Sequence, residues 1–219
     1  MKNVTIACAA LVVALASSGA PALAQASNQS NPPAASQDKP PVGTAGTMSA
    51  DDKAMMDAMI KAATPGANHQ LLASVAGDWT YKSRMWMKPF APPAESTGTV
   101  SYTTLFGGRY VQGQYRGDMM GMPFEGLGLM GYDNTSGQFQ ASWVDNMGTA
   151  LMYMTGQYDA AARTLTYTGQ MDDPTRPGTK VNVRQVIRIV SHDSHVMEWY
   201  ETRDGKEAKT MEILYSRAK

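Results

Sequence analysis

The sequence predicts an all-β fold: an antiparallel up-and-down barrel of about ten strands, preceded by one or two short α-helices. Three observations carry this. From Trp79 onward, apolar and polar residues alternate in short runs, the period of half-buried strands. Turn chemistry separates the runs, as at Pro89 to Pro93, Gly107-Gly108, Asp133 to Gly137, Asp172 to Gly178 and Asp204-Gly205. No segment between them is long enough for a helical crossover, so neighbouring strands pair antiparallel. A meander of this length would leave two exposed edges, and closing it into a barrel removes both. A two-sheet sandwich would show the same alternation.

The chain opens with a segment read as a signal peptide, residues 1–24. Lys2 gives a positive start, IACAALVVALA an apolar run too short to cross a bilayer, and Ala22-Leu23-Ala24 a small-x-small site, placing cleavage before Gln25. The protein is expected to be bacterial, and periplasmic or secreted. The sole cysteine, Cys8, lies inside the apolar run, so the mature chain has no disulfide, thiolate nucleophile or cysteine metal ligand. Residues 25–49 are Ser, Pro, Ala, Gln and Asn with little to bury, a disordered linker.

Residues 50–76 form an N-terminal helical segment. Ser49 with Asp51 and Asp52 reads as a helix start, Met55, Met56, Met59, Ile60 and Ala63 follow at helical spacing, and Pro65-Gly66 stops the element. A helix of this size is marginal alone and should pack on the barrel or on a partner. A second short helix, about 68–75, leads into Gly77.

Residues 77–219 are the barrel domain, with strands expected near 78–88, 97–106, 109–117, 125–132, 138–146, 149–158, 164–172, 180–190, 195–203 and 206–217. Parity assigns an inner face: Trp79, Tyr81 and Met85; Phe139, Ala141, Trp143 and Asp145; Val181, Val183, Gln185 and Ile187; Met211, Ile213, Tyr215 and Arg217, with Thr210 and Glu212 outside. An inward arginine needs a partner, and the face of Trp79 would meet Arg217 in a closed barrel. Trp79 and Arg217 are therefore assigned to barrel closure.

Basic and acidic residues balance at 19 each, with no Lys/Arg run, which argues against a nucleic-acid or anionic-membrane surface. There is no G-x-S-x-G, no H-E-x-x-H and no phosphate loop, and the three histidines are placed in turns or before the barrel. No catalytic residues, cofactor or metal are assigned, and enzymatic activity is left open, with a binding role preferred. His192-Asp193-Ser194-His195 reads as a solvated hairpin turn rather than a metal site. The 17 methionines include the pairs Met85/Met87 and Met152/Met154, which would suit Cu(I) or, more simply, a core or pocket lining. In MMGMPFEGLGLMG the glycines are read as bulges and barrel corners, or else as part of a Met-rich lip at the mouth. The ligand-wall candidates are Tyr81, Met85, Tyr102, Tyr115, Trp143, Asp145 and Trp199. Asp145 is either the polar anchor for a ligand or a partner of Arg109 or a tyrosine.

Gly77-x-Trp79 with Arg217 resembles the calycin superfamily. Gly108-Arg109-Tyr110, the segment 119–134, Trp143 to Met147 and GKEAKTMEILYSR (205–217) together resemble the bacterial family called domain of unknown function 1579, over about residues 68–217. The resemblance implies a calycin-like barrel and, more loosely, a small apolar ligand. The alternative is an interaction module whose barrel is filled by its own side chains.

Overall fold

A computed structural model of the protein describes residues 48–88 and 91–219. The expected signal peptide and all but the end of the linker lie outside the described residues. Two helices, α1 (Ala50–Ala63) and α2 (Ala67–Ala73), precede ten strands. These are β1 (Gly77–Met85), β2 (Ala94–Leu105), β3 (Tyr110–Met119), β4 (Met122–Asp133) and β5 (Gln138–Asp145), then β6 (Met152–Asp159), β7 (Thr164–Asp172), β8 (Lys180–Ser191), β9 (Ser194–Arg203) and β10 (Lys206–Arg217). Every strand pairs antiparallel with its sequence neighbour, and β1 pairs with β10 from Trp79↔Arg217 to Met85↔Met211, closing the barrel. The expected all-β up-and-down architecture is the one observed.

The barrel has two ends. Gly77, Arg217 and the β2–β3, β4–β5, β6–β7 and β8–β9 turns lie at one end, where the chain enters from α2. The β1–β2, β3–β4, β5–β6, β7–β8 and β9–β10 links lie at the other, the far end. Tight turns use the residues that tolerate positive φ: Met120-Gly121 (φ 55° and 83°) and Asp204-Gly205 (φ 50° and 74°). The Met-rich segment, read as barrel corners or else as a lip, is the end of β3, a two-residue hairpin turn and strand β4.

Burial alternates along the strands as parity requires, and the core runs from Leu72 and Trp79 through Tyr102, Phe139 and Tyr167 to Ile213. Aromatic rings are joined in a column down the interior. His195 stacks on Tyr215 at 4.3 Å, Tyr215 and Tyr115 each lie 6.1 Å from Tyr81, and Tyr115 meets Trp143 edge-on at 4.9 Å. Inward glycines make room for these rings. A Cβ at Gly98 would stand 2.4 Å from the Tyr81 ring, and one at Gly126 would stand 2.5 Å from Trp143. Gly98 and Gly126 are thus ring seats. The register shifts occur elsewhere, at Lys209/Met211 and Ile189/Ser191.

The first of those shifts corrects one expectation. The bulge turns Thr210 inward, where it is buried and its hydroxyl donates to Glu201 Oε1 at 3.2 Å. Of the two alternatives for α1, packing on the barrel is not the one observed: none of its residues is buried, and Met55, Met56, Met59 and Ile60 are exposed. Asn134 ties its C-terminus down: the side-chain amide donates to the carbonyls of Ala62 at 3.0 Å and Thr64 at 2.8 Å.

Candidate functional site

The site is built from the chain's entry into the barrel. α2 is short, but Leu72 and His69 are buried beneath it, and it packs on β3 and β4 across the barrel's end. His69 Nδ1 accepts from the Gly66 N–H at 3.0 Å, fixing the first turn, and the ring meets Tyr132 edge-on. At the C-terminus of α2, Arg217 lies over Trp79 with its guanidinium carbon 4.3 Å from the ring centroid. It donates to the carbonyls of Ala76 at 2.8 Å and Ser74 at 3.1 Å, and it pairs with Asp193. Trp79 donates its indole N–H to Val75 O at 2.7 Å. The helix exit, the first strand and the last strand are held as one unit.

Beneath α2 lies a cavity of about 340 Å³. Leu71, Leu72 and Val75 of the α2 segment form its roof, and Met130, Tyr158, Leu165, Ile187 and Ile189 line it together with the buried Trp79, Tyr102 and His195. Arg163, Ser191 and His192, which are exposed turn or strand-end residues, edge it. This volume is at the lower end of the range for small-molecule pockets.

His195 was expected in a solvated turn, and the structure overturns this. The β8–β9 turn is His192-Asp193, between paired Ser191 and Ser194, so His195 is already the second residue of β9 and points inward. It is 7% exposed, held between the edge of Trp79 (4.7 Å) and the face of Tyr215. Burial, with the Arg217 charge as a second cause, pushes its pKa down to about 4, so the ring is neutral at pH 7. His192 remains exposed, with its Nδ1 2.6 Å from Asp193.

The sequence-nominated wall residues are distributed along the whole barrel. Tyr102 lines the cavity, and its hydroxyl is 2.5 Å from that of Tyr115. Burial raises the pKa of both phenols, so they are neutral donors and acceptors. Tyr81 and Tyr115 sit below the cavity in the aromatic column. Met85 and Trp199 share a rung with Met211 towards the far end. Trp143 is half-buried beside Tyr115, and it donates to Asp145 Oδ2 at 2.7 Å. Asp145 also accepts from the Met147 N–H at 2.9 Å. Arg109 is not its partner, because that side chain donates to Phe106 O at the opposite end. Of the methionine pairs, Met154 is buried in the core.

Sequence reading missed a second buried group at the far end. Arg203 Nε donates to Glu201 Oε2 at 2.9 Å, and its Nη1 donates to Asp173, while Arg176 Nε reaches the same Asp173 oxygen at 3.0 Å. Burial alone would raise the Asp173 carboxyl. The Thr175 hydroxyl and N–H, Arg176 and Arg203 outweigh it and hold the group well below the usual carboxylate range. Glu201 and Arg203 share the parity of Trp199, which was the available signal.

Among the described residues no cluster of three His, Cys, Asp or Glu side chains could hold a metal ion. No described helix is long and apolar enough to cross a membrane.

The family model described as "Protein of unknown function (DUF1579)" matches residues 64–217. No curated protein matches the sequence. Among solved structures, the crystal structure of Rv2717c from M. tuberculosis is similar to this chain at 14% identity and a TM-score of 0.52. The similarity covers 71% of this chain and 100% of that one, and it bears on the fold alone.

Proposed function

We propose that this chain, which belongs to the DUF1579 family, binds a small, largely apolar molecule at the helix end of its barrel. One observation carries the reading: a cavity of about 340 Å³, roofed by α2 and walled mainly by aliphatic and aromatic side chains. An apolar cavity of this size gains little by holding water, and an apolar guest gains about 25 cal/mol per Å² of surface removed from water. At roughly 30 Å³ per non-hydrogen atom, the space suits a guest of about a dozen such atoms. Tyr102 is the sequence-nominated residue that such a guest would touch. The N-terminal sequence supports export, and recovery from the host periplasm of a chain beginning at Gln25 would check that.

Native mass spectrometry of the exported protein, followed by denaturing extraction, tests the binding reading. The expected result is a mass shift that is lost in Ile187→Trp, a variant that fills the cavity from its wall. An apo mass in the wild type, unchanged by a panel of apolar compounds, removes the reading.

The aromatic column favours a second reading, in which most of the barrel is filled by its own side chains and the exposed Met55, Met56, Met59 and Ile60 face of α1 meets a partner protein. That apo result would move the weight to it.

A further inference from the structure

The polar groups on the cavity wall divide into two sets. Most are committed within the protein. Trp79 donates to Val75 O, Ser74 Oγ donates to Leu71 O, Ser191 Oγ meets Ser194 Oγ, His192 meets Asp193, and Tyr102 meets Tyr115. Three have no side-chain hydrogen-bond or ion-pair partner among the described residues: the imidazole of His195, the hydroxyl of Tyr158 and the guanidinium of Arg163. His195 is 7% exposed and lines the cavity, and its imidazole has no hydrogen-bond partner among the described residues, so it is available to a guest there. No Asp or Glu lines the cavity, whereas Arg163, which has no ion-pair partner among the described residues, stands at its edge; Arg217 nearby is already paired with Asp193. The wall is therefore apolar in bulk and one-sided in charge.

From this we propose, resting on the binding reading above, that the guest has an apolar body and a single anionic, hydrogen-bond-accepting head, with His195, Tyr158 and Arg163 as its head-group residues. A neutral imidazole and a phenol can each donate one hydrogen bond to such a head, and Arg163 supplies the countercharge where the cavity meets solvent. A cationic head would meet only positive or neutral groups there. A head without charge would leave Arg163 unused.

Calorimetric titration of the purified protein with three probes of equal chain length tests this: decanoate, decanol and decylamine. Decanoate is expected to bind about tenfold or more tightly than decylamine, as charge-assisted hydrogen bonds require, with decanol between them. Arg163→Gln, Tyr158→Phe and His195→Phe should each narrow the decanoate-to-decylamine ratio. The third keeps a ring against Tyr215 and removes both nitrogens, and a melting curve for each variant separates lost binding from lost folding. Decylamine binding as tightly as decanoate would overturn the head-group assignment and leave the cavity reading standing. So would a ratio indifferent to all three substitutions in folded variants. Failure of all three probes to bind, with an apo native mass, would remove both.

Discussion

At the far end of the barrel Asp173 and Glu201 are buried, the Arg203 side chain is 9% exposed, and each finds a charged or hydroxyl partner. At the helix end His195, Tyr158 and Arg163 meet an apolar cavity without one. The same ten strands supply both ends, so the difference lies in what the loops and helices bring. Asp173 and Arg176, from the β7–β8 link, complete the charge network at one end, and α2 roofs the other without filling it. A closed polar network rigidifies a fold. An open one leaves groups to be completed by something else.

The largest expected effect breaks the far end. Arg203→Ala leaves buried Glu201 without its cation and Asp173 with Arg176 alone, and losing one member of such a group costs about 3–5 kcal/mol. Thermal melts should show a fall of roughly 10 °C or more. Decanoate binding in the folded fraction should be unaffected, and a parallel loss of binding would show that the two ends are coupled.

Acid tests the helix end. His195 has a pKa of about 4 in the fold, against about 6.5 for an unperturbed histidine, so the unfolded chain takes up the proton first as pH falls. The stabilisation of the neutral ring is complete above about pH 6.5, declines from there to about pH 4, and amounts to roughly 3 kcal/mol at most. Asp173, whose carboxyl is held low, shifts stability in the same direction but below the ordinary carboxylate range, near pH 4. Denaturant midpoints at pH 7.5 and 4.5 should differ clearly more in the wild type than in His195→Phe, where the low-held Glu198 and Glu207 still contribute. An equal slope in both would assign the acid sensitivity elsewhere.

The smallest effect concerns the tether. Asn134→Ala removes the two short hydrogen bonds that hold the end of α1, worth about 1 kcal/mol. Amide exchange should quicken across Ala50–Ala63 and stay unchanged in the barrel. Faster exchange in β4 and β5 as well would mean that α1 supports the sheet.

The strands were legible because period-two burial and turn residues are local signals, and they agree along the whole barrel. His195 was misread because His-Asp-Ser-His is rich in turn formers, yet it shares parity with Met197 and Trp199, and that parity held. Thr210 could not be placed, since one extra residue at Lys209/Met211 reverses the parity and leaves no mark in composition. The cavity was illegible for another reason. It arises from where a seven-residue helix rests on β3 and β4 and faces β7, β8 and β9 across the space between, and no local pattern encodes that placement. Buried Glu201 and Arg203 were passed over because charged residues at inward positions contradict the very pattern used to find the strands.

The pairing of β1 with β10 also sets how the molecule must form. Arg217 bonds to Ala76, 141 residues earlier, so the seam joins the two extremes of the domain. Hairpins β2–β3 through β9–β10 can zip locally, but the first strand stays half-paired until the last residues are available, and such distant contacts slow folding. Until then β1 and β10 are open edges able to recruit another chain. Loss of β10 would make that condition permanent, turning a closed barrel into an open sheet able to associate edge to edge.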